Sequence, residues 1–337
     1  MSNRIIITTE NGDEQIALNE IKKISPKPKN VSYLAKGITL VELDELYSDF
    51  IKKVNNYNLI FIRHIIPIIT DAKLTYDNII EQTLHIVNDN LCFLDKNLKF
   101  SIQTRIVNPH ITLKPFDINT FISDKLIGSY EMDVKNPEQI ISILVCTDTI
   151  YIGISLKKDN LSSWPGGNIR FEKKENFISR AEFKLLEAIQ TFGLELKGNA
   201  LDLGAAPGGW TKILSGYCNS VTAVDPAGLH ESLYQSPNII HKKMTAQEFF
   251  RSATGKYDVI CNDMKMDTNE SIDIMANAEK LLSKNNLCIM TLKLPASKQQ
   301  SRATRSIETL EKYFNILHAR KLFHNRNEVT VAFNKKN

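Results

Sequence analysis

The stretch ALDLGAAPGGWTKIL, residues 200–214, limits what this chain can fold into more than any other. An apolar run stops at Gly204, glycine and proline crowd the next few positions, and a helical pattern follows at once. Glycine costs backbone entropy on folding, so its clustering marks a backbone that something approaches closely. A strand, a glycine-rich turn and a helix form the first crossover of a Rossmann-like sheet, with unpaired helix-N-terminal amides beside the turn. The dinucleotide spacing GxGxxG is not matched and no GK[ST] follows, so nicotinamide and triphosphate ligands are disfavoured. Asp225 ends the next apolar run, SVTAVD, where an acid accepts hydrogen bonds from a ribose diol. Gly204, Ala205, Pro207, Gly208, Gly209, Trp210 and Asp225 are thus candidates to hold a nucleoside-containing cofactor, Trp210 through its amide as well as its packing.

The same α/β rhythm fills residues 178–337. Apolar strands ALDLG, SVTAVD, YDVICND and LCIMTLKL alternate with helical segments, which predicts a mostly parallel doubly wound sheet. The last two strands, NILHARKLF and EVTVAFN, have only HNRN between them and predict an antiparallel edge hairpin. Upstream, residues 1–65 read strand–helix–strand–strand–helix–strand, a small α+β unit of ferredoxin type. Residues 66–157 form a second α+β unit that ends in a hairpin across Asp148. Residues 158–177 break the periodicity around Pro165-Gly166-Gly167 and read as a linker.

Composition narrows the classes further. With 42% hydrophobic and 24% charged residues the chain is globular rather than disordered, and no apolar run reaches membrane-spanning length. The start lacks a signal-peptide core, so a cytosolic protein without a membrane partner is expected. Five scattered cysteines without a CxxC pair give neither a disulfide nor a metal framework, and Cys261 and Cys288 read as buried thiols. A net charge of +4 permits an RNA partner without requiring one. No sequence signal sets the oligomeric state, and a monomer is the default.

DLGAAPGGW resembles the first motif of the FtsJ-like ribose 2′-O-methyltransferases, which bind S-adenosylmethionine. SRAEFKLLEA, YDVICNDM, MTLKLP and HNRNEVTVAF resemble further segments of that family. The resemblance implies a catalytic tetrad of Lys184, Asp263, Lys293 and Glu328, with Asp263 also beside the cofactor. KLP and HNRNEVTV are most similar to the RlmM branch, which methylates a cytidine ribose in large-subunit ribosomal RNA. IGSYEMDVKNPEQIISILVCTDTIYIGIS resembles the end of a THUMP domain, an RNA-holding module, on Asp133, Asn136 and Pro137. The implied architecture is a Rossmann-like methyltransferase domain behind ferredoxin-like and THUMP domains.

In that reading Lys293 is the general base. It serves only when neutral, and burial beside Lys184 is expected to lower its proton affinity. Asp263 would orient Lys293, and Glu328 would hold and tune both lysines. Arg180, Lys298, Arg302, Arg305 and Arg326, with His324, are candidates for contacts to RNA. One departure stands out: the family places a carboxylate after the third strand for the adenine amine, and IIHKKMTAQEFF has none before Glu248. Thr245 or Gln247 would have to substitute. Competing readings are a methyltransferase of another RNA such as tRNA, a base or small-molecule methyltransferase, and a non-catalytic RNA-binding or assembly factor. The last would be expected to carry a broken tetrad or glycine loop, and neither is broken here.

Overall fold

The computed structural model describes residues 3–54, 56–172 and 177–336. It divides into two compact units, residues 1–169 and 170–337. The expected linker at 158–177 is split by this division, and its residues 173–176 lie outside the described residues. The turn at Pro165–Gly167 is packed within the first unit, where the Thr8 hydroxyl donates to the Gly166 carbonyl at 2.7 Å.

The first unit contains two four-stranded sheets. The first sheet is built from β1 (Arg4–Thr8), α1 (Glu14–Ile24), β2 (Asn30–Ala35), β3 (Ile38–Glu42), α2 (Tyr47–Val54) and β4 (His64–Ile68). Its strands lie in the order β2-β3-β1-β4 and are antiparallel throughout. Period-2 alternation sends Ile5 and Ile7 toward the helices, with Ala17, Ile21 and Phe50, and Ile6 to the opposite face. The second sheet follows: β5 (Thr70–Lys73), α3 (Ile79–Asp89), β6 (Phe100–Ile106), α4 (Pro115–Leu126), β7 (Gln139–Val145) and β8 (Thr149–Leu156), in the order β5-β8-β7-β6. The expected hairpin across Asp148 pairs Val145 with Ile150. Ile6, Ile38, Ile66, Ile68, Leu144 and Tyr151 join the two sheets in a shared core.

The second unit is Rossmann-like. Its elements are α5 (Ala181–Phe192), β9 (Asn199–Leu203), α6 (Gly209–Tyr217), β10 (Ser220–Val224), β11 (Ile239–Lys242), α7 (Ala246–Ser252), β12 (Tyr257–Asn262), α8 (Thr268–Ala278), β13 (Leu282–Lys293), α9 (Gln299–Leu310), β14 (Phe314–Arg320) and β15 (Glu328–Lys335). The seven strands lie in the order β11-β10-β9-β12-β13-β15-β14. The first five are parallel, while β15 runs antiparallel to both β13 and β14, so the expected edge hairpin is present. The inner strands are apolar on both faces, as a sheet covered by helices on both sides requires. Strand order reverses between β9 and β12, and the crevice beyond their carboxyl ends is where such sheets place ligands. Both the glycine turn and Asp263 lie at that edge.

Candidate active site

The glycine turn leaves β9 with Gly204 at φ 75° and enters α6 through Gly208 at φ 112°, conformations in which a side chain is strained. Each turn glycine also has a close protein neighbour. A Cβ would fall 2.2 Å from Met264 Cγ at Gly204, 2.1 Å from Leu233 Cδ1 at Gly208 and 2.3 Å from Ser179 Oγ at Gly209. The glycines therefore serve internal packing in addition to any ligand approach that the sequence suggested. Asp225 closes the turn from β10: one carboxylate oxygen accepts from the Ala206 amide at 3.1 Å and the other from Ala227 at 2.8 Å. Each oxygen keeps a further acceptor site, so a diol can still be bound. The Trp210 indole is in the core and donates to the Ala181 carbonyl at 2.9 Å, so its side chain packs and only its backbone amide is left for a cofactor.

Behind the turn, Asp202 is buried in β9 and accepts from the Thr211 hydroxyl at 2.6 Å. Burial is the main reason that its carboxyl is pushed up to about 7. The negative charges of Asp263 and Asp225 add to the effect, against the Thr211 hydrogen bond.

The four residues implied by the resemblance converge on one cluster. Lys293 and Glu328 are direct cross-strand partners of the β13–β15 pair, which brings their side chains together on one face. Asp263 follows β12 in a turn pinned by Asn262, whose side chain is fully buried, donates to Ser271 Oγ at 3.0 Å and accepts from the Met264 amide at 3.0 Å. Lys184 arrives from α5. Its Nζ lies 3.1 Å from Asp263 Oδ2 and 2.6 Å from Glu328 Oε1. Lys293 Nζ lies 2.8 Å from Asp263 Oδ1 and 2.5 Å from Glu328 Oε2. Two ammonium groups and two carboxylates thus alternate around a ring with no net formal charge. Side-chain exposure runs from 6% at Glu328 to 25% at Lys293, the most accessible member.

Sequence reasoning missed one participant. Thr291 lies two residues before Lys293 on the same face of β13, and its hydroxyl touches both Asp263 and Lys293. The available signal was parity: residues two apart on a strand share a face.

The charge state of the ring corrects an expectation. Burial disfavours the Lys293 ammonium, but Asp263 and Glu328 more than offset it, so its proton affinity is raised rather than lowered by Lys184. Burial likewise pushes Asp263 up, and Lys293 and Lys184, with hydrogen bonds from Lys293 and Thr291, overcome it and hold the carboxyl below its ordinary value. In this state Lys293 is an ammonium without a lone pair, and Asp263 beside it is a carboxylate.

Among the RNA candidates, Arg302 is paired with Asp267 at 3.2 Å. With Lys293, Thr268 and Pro295 these two residues line an open cleft of about 480 Å³, so the catalytic candidate and Arg302 share one concavity. Lys298 precedes α9 and Arg305 lies one turn beyond Arg302; both are exposed, as are Arg180 and Arg326. His324 is not available as expected. Its Nδ1 lies 2.7 Å from the buried Glu187, and its ring packs on Phe171 and Phe183. Thr245 is likewise committed: its hydroxyl caps α7, accepting from the Glu248 amide and donating to the Glu248 carboxylate. Gln247 is exposed. Cys261 and Cys288 are buried, as the apolar runs predicted. Among the described residues no cluster of histidine, cysteine and acidic side chains is suited to a metal ion, and no helix is long and apolar enough to cross a membrane.

Comparison with known proteins finds relatives of the second unit. The chain is 30% identical over 173 residues to a protein of Halorhodospira halophila named ribosomal RNA large subunit methyltransferase M, covering 50% of each chain. It is 28% identical over 213 residues to a protein of the same name from Sodalis glossinidius, covering 58% of this chain and 57% of that one. The chain thus spans about half the length of the curated relatives that it matches. Among solved structures, TrmN from Thermus thermophilus aligns over 99% of this chain and 100% of its own at 14% identity, with a TM-score of 0.41, too low to add to the assignment. The family described as FtsJ-like methyltransferase matches residues 177–328, a span that contains the glycine turn and all four members of the ring. Residues 177–328 thus match the FtsJ-like methyltransferase family, and they lie in the unit with the Rossmann-like sheet.

Proposed function

We propose that this protein transfers a methyl group from S-adenosylmethionine to a ribose 2′-hydroxyl of structured RNA, namely a cytidine of large-subunit ribosomal RNA. The observation that carries the reading is the Lys184–Asp263–Lys293–Glu328 ring at the carboxyl edge of the sheet, beside the glycine turn. The names of the relatives supply the RNA.

The residues fit the cofactor. Asp225 stands where a ribose diol binds, the turn from Gly204 through Trp210 offers backbone, and Asp263 provides a carboxylate for a cationic centre. The missing adenine carboxylate leaves Gln247 or backbone groups for the amine. S-adenosylmethionine supplies an electrophilic methyl on a positively charged sulfur.

A ribose hydroxyl is a poor nucleophile, so the protein must remove its proton as the oxygen attacks. Lys293, the most exposed member of the ring, is that base. Its ammonium first gives a proton to solvent. The neutral amine then takes the hydroxyl proton as the new O–CH3 bond forms and the S–CH3 bond breaks. A cation placed beside Asp263 competes for the charge that raises the proton affinity of Lys293, which favours the neutral amine. Lys184 and Glu328 hold the geometry, and in-line positioning of hydroxyl and methyl supplies the rest. Arg302, in the cleft beside Lys293, is suited to an RNA phosphate.

The first unit is proposed to hold the RNA, as the ferredoxin-like domain expected at residues 1–65, whose last strand runs on to Ile68, and a THUMP-like domain from there to residue 157, with the protein acting in the cytosol as a monomer. Its β1-α1-β2-β3-α2-β4 order supports the first part. The test is transfer of labelled methyl from S-adenosylmethionine to ribosomal RNA from a strain lacking the gene, followed by mapping of ribose methylation. Methylation of one ribose is expected. Label found only in tRNA would replace the substrate, and no cofactor binding by calorimetry would leave the non-catalytic RNA-binding reading.

A further inference from the structure

Thr291 carries no charge, yet it bridges two members of the ring. Its hydroxyl donates to Asp263 Oδ1 at 2.6 Å and accepts from Lys293 Nζ at 2.8 Å. The side chain is 1% exposed, so it reaches no ligand itself. Across the β13–β15 pair it faces Thr330, which is also fully buried and holds Asn325. The backbone at Thr291 is therefore held from the β15 side.

Two consequences follow from hydrogen-bond valence. Lys293 has three ammonium hydrogens and three acceptors, namely Glu328 Oε2, Asp263 Oδ1 and Thr291 Oγ1. Thr291 is the uncharged one, and without it a hydrogen would be left to pull the ammonium elsewhere. Asp263 is asymmetric in the same way. Oδ1 accepts from Thr291, Lys293 and, at 3.3 Å, Lys184, whereas Oδ2 accepts from Lys184 at 3.1 Å. The Thr291 donor thus selects which oxygen of Asp263 turns inward and leaves Oδ2 with spare acceptor capacity.

We propose that Thr291 is a positioning residue of the methyl-transfer site, fixing the rotation of Asp263 and the direction of Lys293 Nζ with one hydroxyl. The inference rests on the function proposed above. A displacement of about 1 Å in a reacting group costs on the order of 10²-fold in rate, so a group that holds two of them matters without touching substrate.

The test uses the full chain and the pair Thr291→Val and Thr291→Ser. Valine keeps the shape and β-propensity but removes both hydrogen bonds; serine keeps the hydroxyl. Thr291→Val is expected to lower kcat about 10- to 100-fold. KM for S-adenosylmethionine and for RNA should stay within about threefold, and Thr291→Ser should restore most of kcat. An unchanged kcat, or a loss shared equally by kcat and both KM values, would overturn the proposal, since the second pattern marks a merely structural role. Crystal structures of wild type and Thr291→Val give a readout independent of turnover. The valine variant should show Asp263 rotated or Lys293 Nζ displaced, and superimposable side chains would refute the inference even if no RNA were methylated. Absence of methyl transfer by the wild type, with that displacement present, would refute the function and leave the positioning role intact.

Discussion

Two of the places where this molecule buries polar groups do so on opposite terms. In the first unit, Gln103 and Ser142 line a small cavity in the layer between the two sheets, and Gln103 Oε1 and Ser142 Oγ have no hydrogen-bond partner among the described residues. At the carboxyl edge of the second unit, two lysines and two carboxylates are held within 2.5 to 3.1 Å of one another, with a buried threonine accepting the third hydrogen of Lys293. A neutral buried group left unsatisfied costs on the order of 1–3 kcal/mol, which a domain tolerates. A buried charge without a partner costs far more, so charges are gathered only in balanced sets. The difference teaches that the ring is not there for stability, since apolar residues would hold the same strands together more cheaply, and the proposed chemistry gives it a reason.

The sharpest way to break that contrast is Lys293→Ala. It should reduce methyl transfer by about 10³-fold or more, within the range set by loss of a general base and of its positioning. Cofactor affinity measured by calorimetry should change only a few-fold. Retained activity would mean that the ring is a structural ion cluster.

Asp202 tests the penalty of burial from the other side. Its carboxyl is raised to about 7 chiefly by burial, from about 3.9 in an unfolded chain. The folded state therefore binds more proton between pH 4 and 7, and stability falls as pH rises through that window, by about 4 kcal/mol in all. Asp202→Asn can still accept from Thr211 and does not ionise. Denaturant unfolding should show the variant gaining stability relative to the wild type as pH rises from 4 to 8, even though the lowered His318 adds an opposite slope to both proteins. The ring does not mask the effect. Asp263 is lowered, so its stabilisation is lost only as pH falls through the acid range, and Lys293 is raised, so its own persists until strongly alkaline pH.

These contrasts also show what was legible before any coordinates. Lys184, Asp263, Lys293 and Glu328 could be found because strand ends and a broad resemblance mark them. The α/β order of residues 178–337 followed from runs such as YDVICND and LCIMTLKL. The charge state of Lys293 did not follow, because it depends on register: Glu328 stands opposite Lys293, and no local pattern displays a cross-strand pair. Thr291 was hidden for a related reason, since threonine is an ordinary strand residue and only parity with Lys293 singles it out. His324 looked like a free turn residue because Glu187, which holds it, lies 137 positions away in sequence.

A smaller effect separates two glycines of one helix. Gly208 enters α6 at φ 112° with Leu233 in the way of a side chain, whereas Gly216 has nothing within 4 Å of an added Cβ. Gly208→Ala should destabilise by about 1–3 kcal/mol and weaken cofactor binding. Gly216→Ala should be neutral or stabilise by up to about 1 kcal/mol, as expected for alanine over glycine in a helix. Equal losses in the two variants, measured by urea unfolding, would mean that the turn imposes no special conformation.

The smallest effect lies in the seam between the sheets. Ser142 is 2% exposed, and its hydroxyl has no partner among the described residues, so its removal breaks no hydrogen bond. Ser142→Ala gives up one small contact and relieves one unsatisfied polar atom, two terms of opposite sign. The change in unfolding free energy should stay within about 0.5 kcal/mol of zero. Thr291→Val likewise removes one hydroxyl, with a methyl in its place, at a site of equal burial, but it strips a hydrogen bond from each of two charged groups, and such bonds are worth about 1.5–3 kcal/mol apiece. The two substitutions, measured side by side, isolate what the partner adds to the hydroxyl. Similar costs would show that the seam hydroxyl is satisfied after all, and the contrast between the two buried sites would collapse.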